Sequence, residues 1–546
     1  MLFPAVKSLK KTGEYSFFES IYVSIGTLQG FSCEPAENIF GALISDSGSL
    51  VVSCIKSDVP FQNDEEYKLS LSECDGRVYA VVTAFSERGL ARGLFTLKRM
   101  LLKNEFILGE ITDYPSFKVR GYIEGFYGKP WEAHQRKEML SLMALFGENT
   151  HYYAPKDDPY HRSKWRELYP EREAQELKEL FLRAKSLYVD FYYCIAPGLS
   201  MRYTSEDDIR ALENKTAQLF SMGIRNFGLL LDDIPQDLFY KEDKETFGNA
   251  MNAHSVLVSR YFSYLKALSP DCRLTVCPTS YHGKGTQKEL TDFALNIPEG
   301  ADVFFTGPDI CSKELTSRDA EIFRVNTNHK PLYWDNFPVN DAEMFMEMHI
   351  APLIGRESDL YKYSHGIISN CMEYFDCNKF ALITAAAYTW APAEYDSELA
   401  FSQAVEFMLP AGEREAFVLF SDHLRTSCLN DENSRIMGRY LSEAATLMWT
   451  GNFPEALSVI TEYTEKVNNA VSVIKNGSSP VYTELKRWFK KFCLMSEIMN
   501  VALSCLKGES RKEELMCLME QYNESATVLT AFCFREFVEG VLSDEN

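Results

Sequence analysis

Along the first 115 residues the apolar positions come in short runs broken by turn residues. Runs at 21–25, 50–54, 67–71 and 78–82 are dominated by Val, Ile, Leu and Tyr, and the third alternates, with Tyr67, Leu69 and Leu71 on one side and Lys68 and Ser70 on the other. A repeat of two puts alternate side chains on opposite faces of a strand, one buried and one solvated. Asp75-Gly76 supplies the turn into the fourth run and makes the pair a hairpin. Over 86–102 the period lengthens, and Leu90, Leu94, Leu97 and Leu101 fall on one face of a helix. These patterns predict an α+β domain over residues 1–115, with one mixed or antiparallel sheet and helices on one face. It holds no cluster of reactive side chains, which makes it a scaffold.

At Val119 the pattern changes to strand and helix in alternation. Strand candidates at 119–126, 150–154, 189–195, 226–231, 273–277, 301–305, 331–334 and 366–369 are separated by helical stretches such as 134–146, 174–187, 207–222, 250–268 and 318–325. Eight repeats within residues 116–395 match the length and rhythm of a (β/α)8 TIM barrel, whose reactive groups stand at the C-terminal ends of the strands. A doubly wound open sheet, the rival α/β arrangement, calls for a glycine-rich phosphate turn after its first strand, and no GxGxxG spacing follows it. Beyond Trp390 the pattern is almost wholly helical. Leu485, Trp488, Phe489, Phe492 and Met499 form an apolar stripe that would pack a bundle core, so residues 396–546 are expected to be a C-terminal helical domain.

Composition narrows the function by exclusion. The chain carries 78 acidic against 56 basic side chains, a formal net charge of −22. Phosphate backbones and anionic membranes repel such a surface, so no nucleic acid and no membrane is expected as a partner. The basic clusters at Lys7, Lys10 and Lys11 and at 486–491 are short, and read as a charged terminus or a solvated helix face. The N-terminal residues lack the apolar core and cleavage site of a signal peptide, and no apolar run reaches membrane-spanning length. The fourteen cysteines form no CxxC pair, and Cys272 and Cys277 with the single His282 fall short of a structural zinc set. Free thiols in a reducing, cytoplasmic setting are the expectation. No metal or other cofactor is expected, and the oligomeric state stays open.

A barrel would gather its strand ends on one rim. They carry Glu124-Gly125-Phe126-Tyr127-Gly128, Ala154-Pro155-Lys156-Asp157-Asp158, Ala196-Pro197-Gly198, Asp232-Asp233, Pro278-Thr279-Ser280-Tyr281, Thr306-Gly307-Pro308, Trp334-Asp335-Asn336 and Asn370. Each has a structural role open to it singly, since Gly and Pro end strands, Tyr and Trp plug barrel mouths, and Lys pairs with Asp. Together they offer carboxylates, amides, an amine and aromatic faces, which suits a polyhydroxylated ring. The strongest signal is the apolar run through Leu229-Leu230-Leu231, which ends abruptly in Asp232-Asp233 and then Pro235. Helix capping would account for one aspartate. Two in succession repel and couple their titrations, as acid/base chemistry requires.

The stretches Arg120-Gly121-Tyr122-Ile123-Glu124-Gly125-Phe126-Tyr127-Gly128-Lys129-Pro130-Trp131 and Tyr153-Ala154-Pro155-Lys156-Asp157-Asp158-Pro159-Tyr160-His161, the Asp232-Asp233 pair and Trp334-Asp335-Asn336 resemble, in the same order, glycoside hydrolase family 84. That family contains the β-N-acetylglucosaminidases that remove O-linked N-acetylglucosamine (GlcNAc) from proteins, with bacterial relatives once called hyaluronidases. The resemblance implies a small hexosaminidase-like domain before the barrel and a helical region after it. It also implies roles. Asp232 orients the substrate acetamide and Asp233 is the general acid/base. Tyr281 hydrogen-bonds near the acetamide oxygen, while Gly125 and Lys156 contact sugar hydroxyls. Asn336, Asp341 and Asn370 grip the rest of the ring, Trp334 borders the N-acetyl pocket, and Phe126, Tyr127 and Thr306 complete the expected substrate contacts. Ser280, where the family more often has Glu, and Cys371, in place of a common Pro, depart from the pattern and bear on loop shape and aglycone preference.

The adjacency of the carboxylates selects a mechanism. A retaining glycosidase ordinarily sets its two carboxyls about 5 Å apart across the anomeric carbon, and an inverting one sets them farther apart. Neighbours on one strand cannot flank a sugar in that way. They suit the exception in which the substrate's own acetamide oxygen attacks, giving an oxazoline and net retention. Two alternatives are weaker. A catalytically silent GlcNAc-binding protein would lose one carboxylate, and both are present. A metal-dependent barrel hydrolase would cluster histidines at strand ends, where His151 and His282 are the candidates.

Overall fold

The computed structural model describes residues 2–17, 20–529 and 532–543. The described residues fall into two compact units, the first within 2–336, 354–371 and 385–396 and the second within 337–353, 372–384 and 397–543.

The first unit opens with a six-stranded sheet of β1 (Ser8–Tyr15), β2 (Val23–Gln29), β3 (Leu50–Lys56), β4 (Tyr67–Cys74), β5 (Arg77–Ala84) and β6 (Phe106–Asp113), in the order β1-β6-β4-β5-β3-β2. It is mixed: β1, β6, β4 and β5 run antiparallel in turn, while β3 joins β5 and β2 joins β3 in parallel. Asp75 and Gly76 both take positive φ, 50° and 75°, and close the β4–β5 hairpin. The helix Glu87–Lys103 packs on these strands, and a Cβ on its Gly93 would stand 2.4 Å from Val82. Two strands escaped the apolar pattern. β1 is mostly polar because it is an edge strand, and Lys10 and Lys11 lie exposed along it, where charge discourages further pairing. They belong neither to a helix face nor to a loose terminus. β6 alternates in burial, but its partners are distant in sequence.

Eight parallel strands follow: β7 (Val119–Ile123), β8 (Thr150–Tyr153), β9 (Asp190–Ile195), β10 (Asn226–Leu230), β11 (Arg273–Cys277), β12 (Ala301–Phe305), β13 (Pro331–Asp335) and β14 (Gly366–Asn370). They close into a barrel, β14 pairing back onto β7. Buried side chains from these strands pack together in one cluster, including Ile123, Tyr152, Leu230, Phe304, Leu332 and Ile368. A buried ion cluster ties the barrel to the sheet domain, with Glu65 accepting from Arg120 and Arg92 at 2.6 Å each. Burial works against the Glu65 carboxylate, yet the two guanidiniums outweigh it and hold the group well below the usual carboxylate range.

The second unit is helical, from Ser397–Met408 through Phe453–Asn476 and Lys486–Leu506 to Cys533–Ser543. Leu485, Trp488, Phe492 and Met499 sit at its core, fully buried. Lys491 departs from the expected solvated face. It is buried and donates to the carbonyls of Ser525 (2.9 Å) and Thr527 (2.7 Å), and burial lowers its amine to about 8. Among the described residues, no helix is long and apolar enough to cross a membrane.

Candidate active site

The carboxylate pair stands where β10 ends. β10 lies between β9 and β11, and its Gly228 admits the side chain of Cys194, since a Cβ there would stand 2.5 Å from the sulfur. Past the strand, the Leu231 N–H donates to the Cys277 carbonyl (2.9 Å) and the Thr279 hydroxyl donates to the Leu231 carbonyl (2.7 Å), fixing the chain up to the first aspartate. Asp233 then takes φ +49°, a left-handed conformation costing a non-glycine residue about 1–2 kcal/mol. Adjacent carboxylates thereby meet different surroundings.

Asp232 is largely buried and pairs with the Lys156 amine, which follows β8, at 3.2 Å. Asp233 is exposed and accepts from two phenols, Tyr127 through Oδ2 and Tyr281 through Oδ1, each at 3.0 Å. The Lys156 amine also lies 5.1 Å from the Tyr127 ring centre and 6.0 Å from that of Trp334. Burial acts to lower the lysine, but the charge of Asp232, with that of Asp233 farther off, prevails, so the group is raised and stays an ammonium. Burial, followed by the charge on Asp233, raises the Tyr281 phenol and keeps its proton in place to donate.

A second cluster comes from β13 and β14. Asn336 Oδ1 accepts from the Trp334 indole (3.0 Å) and from the Asn370 amide (2.9 Å), and Asn336 donates to the Ile310 carbonyl (2.8 Å). This chain of bonds fixes both amides and leaves Asn370 Oδ1 buried with no hydrogen-bond partner among the described residues. Gly125 follows β7 against the same groups: a Cβ there would lie 2.6 Å from the Trp334 ring and 3.0 Å from Asn370 Oδ1.

The sequence profile of the beta-N-acetylglucosaminidase family matches residues 120–422, more than half of the chain. The chain belongs to that family.

Two curated relatives, the Protein O-GlcNAcase of Rattus norvegicus and that of Mus musculus, are each 33% identical over 276 residues, which is 50% of this chain and 29% of theirs. The chain thus matches less than a third of the length of those relatives. Among solved structures, a mutant of the Thermobaculum terrenum O-GlcNAc hydrolase is 29% identical with a TM-score of 0.73, over 78% of this chain and 95% of that one. CpGH84B, at 24% identity, shares the fold with a TM-score of 0.84 over 99% of this chain and 100% of its own.

Within this beta-N-acetylglucosaminidase family member, not every rim carboxylate is available for chemistry. Arg136 holds Glu124 through two bonds of 2.6 and 2.7 Å, and Arg356 holds Asp335 through two of 2.6 and 2.9 Å. Asp158 accepts from Tyr153 (3.0 Å), the Tyr169 hydroxyl and the Tyr160 N–H (2.8 Å). These three brace the loops, the structural role open to each of them singly. Phe126 is buried against Trp131, and Thr306 holds the Tyr281 loop, its N–H donating to the Tyr281 carbonyl at 2.8 Å. Asp341 belongs to the second unit, where its carbonyl accepts the Met344 N–H (3.0 Å) and it precedes the short turn Ala342–Met344. His151 is buried between Tyr122 and Phe191, and burial takes it down to about 3. The role of Thr279 as a tether was not foreseen, and its place two residues before Tyr281 was the available signal.

Proposed function

We propose that this chain hydrolyses terminal β-linked GlcNAc from glycoproteins or related glycoconjugates with retention, the substrate's own acetamide oxygen serving as nucleophile. The observation that carries this reading is the contrast within one dipeptide: Asp232 ion-paired and withdrawn, Asp233 exposed and held by two phenols. In the first step Asp232, paired with Lys156, accepts the acetamide N–H and stabilises the positive charge that grows as the acetamide oxygen bonds to the anomeric carbon. Asp233 gives its proton to the departing oxygen as that bond breaks. In the second step Asp233 takes a proton from water, whose oxygen attacks the anomeric carbon and reopens the oxazoline. The buried acceptor of Asn370 would receive a sugar hydroxyl, beside the Gly125 backbone and the Trp334 indole.

The similarity to protein O-GlcNAcases and to an O-GlcNAc hydrolase favours protein-linked GlcNAc as the substrate, and the fourteen free cysteines favour a reducing, cytoplasmic location. Neither nucleic acid nor membrane is part of this reading. The test is turnover of an aryl β-N-acetylglucosaminide against the matching aryl β-glucoside, which has no acetamide to attack. Comparable rates on the two would overturn the mechanism. A GlcNAc-modified protein set against chitobiose then identifies the aglycone.

A further inference from the structure

In the second unit, three side chains of different chemistry converge: Glu347 and His349 from one loop, and Cys428 from a turn much later in the chain. One carboxylate oxygen, one ring nitrogen and the sulfur all lie within 4.8 Å of one another. Each is held from behind. His349 Nδ1 lies 2.7 Å from the Val339 carbonyl, which can only accept, so Nδ1 carries the proton and donates. The other nitrogen, Nε2, therefore faces Glu347 Oε2 at 2.7 Å. Two acceptors can approach so closely only with a proton or a metal ion between them. The Glu347 loop is pinned by the Asn340 amide, which donates to the Glu347 carbonyl at 2.8 Å. Cys428 sits at the tip of a turn closed by reciprocal bonds between Ser427 and Asn430, and its N–H donates to Glu347 Oε2 at 2.9 Å. Its sulfur lies 3.1 Å from the Met344 thioether.

We propose that Glu347, His349 and Cys428 bind a zinc ion. A histidine whose far nitrogen is committed to a backbone carbonyl is the arrangement that aims the near nitrogen at a metal. Thiolate, imidazole and carboxylate together suit a borderline cation, whereas calcium or magnesium would want oxygen alone and copper(I) would have little use for the carboxylate. The histidine–carboxylate pair needs little rearrangement. Zinc bonds of about 2.0 Å to nitrogen and oxygen in a tetrahedron set those atoms about 3.3 Å apart, so the His349–Glu347 contact opens by roughly half an ångström. Both Glu347 and Cys428 are part-exposed, which gives an ion a way in. The fourth position falls to water or to Met344. The bound ion would clip the loop 337–353 to the turn 427–430 within this unit.

The experiment uses the full chain, stripped with a chelator under reducing conditions and titrated with cobalt(II) and then zinc(II). Wild type should show a near-ultraviolet thiolate-to-cobalt band that zinc displaces at one ion per chain. Cys428→Ser should abolish the band and weaken zinc binding at least about a hundredfold, although the thirteen other thiols remain, and Glu347→Gln should weaken it about tenfold or more. Should Cys428→Ser fail to fold, Glu347→Gln and His349→Gln carry the same comparison. A band that survives Cys428→Ser, equal zinc affinity in wild type and variants, or uptake of copper(I) without zinc would each overturn the proposal. The first two would leave the cluster as an imidazolium–carboxylate pair.

Discussion

Lys156 sets its ammonium 3.2 Å from Asp232, while the phenols of Tyr127 and Tyr281 stand 3.0 Å from Asp233. The two carboxylates are neighbours in the chain, yet one is in direct contact with the ammonium and the other with two phenolic hydroxyls. Of the two, Asp233 takes the left-handed backbone conformation. The division of labour proposed above follows from that difference.

Removing an acid matters most for a poor leaving group, because a phenolate of low pKa departs without help and an alkoxide does not. Asp233→Ala should cost activated aryl substrates about tenfold in the glycosylation step and alkyl or protein-linked sugars about 10³-fold or more. Asp232→Ala should cost about 10²–10³-fold across the whole series, since it weakens the attack itself. Plots of log kcat/KM against leaving-group pKa would read this directly. A steeper slope for Asp232→Ala means the two roles are reversed.

Attack by the acetamide followed by attack by water inverts the anomeric carbon twice. The first product released should therefore be the β-anomer. Proton NMR of early product decides it, and an initial α-anomer would sink the oxazoline route.

Gly125→Ala should reduce kcat/KM at least about tenfold, chiefly through KM, because the added Cβ meets the Trp334 ring at 2.6 Å and Asn370 Oδ1 at 3.0 Å. Overpacking of this kind costs about 1–3 kcal/mol in stability. Calorimetric binding of GlcNAc with a melting scan separates the two effects. Wild-type affinity for the sugar would remove Gly125 from the binding surface.

Glu148 is fully buried in the first unit, and burial raises it to about 7 against the opposing charge of Arg120 and the Thr389 hydroxyl 3.2 Å away. The folded chain thus keeps this proton up to about pH 7, while the unfolded chain loses it near pH 4.5. The folded state holds the extra proton between those values, so the stabilisation is full below about pH 4.5 and is lost as pH rises to about 7, a change of about 3 kcal/mol. Glu148→Gln keeps the shape and removes the titration. Denaturant melts at several pH values should show the variant gaining on wild type by that amount, and parallel curves would contradict the assignment.

The barrel was legible because its strands are buried on both faces and short: each reads as an apolar run that stops at a polar cluster, and all eight stand within a residue or a few of their expected limits. Asp232-Asp233 stood out for the same reason, since charge at the mouth of a buried strand is costly without a use. Edge strand β1 was not legible, because an exposed strand has no apolar period to display and its partner β6 lies about a hundred residues on. What only the tertiary structure decided is which charges are already satisfied. Glu124, Asp158 and Asp335 look as available in the sequence as Asp232 and Asp233 do, and become braces because Arg136, Tyr169 and Arg356 reach them from other elements. The gathering of Glu347, His349 and Cys428 belongs to the same class. Local sequence sets where a strand ends and what stands there, because backbone propensity and burial act over a few residues. Pairing of a charge or a metal ligand depends on atoms a few ångströms apart in space, and chain closure alone brings those together.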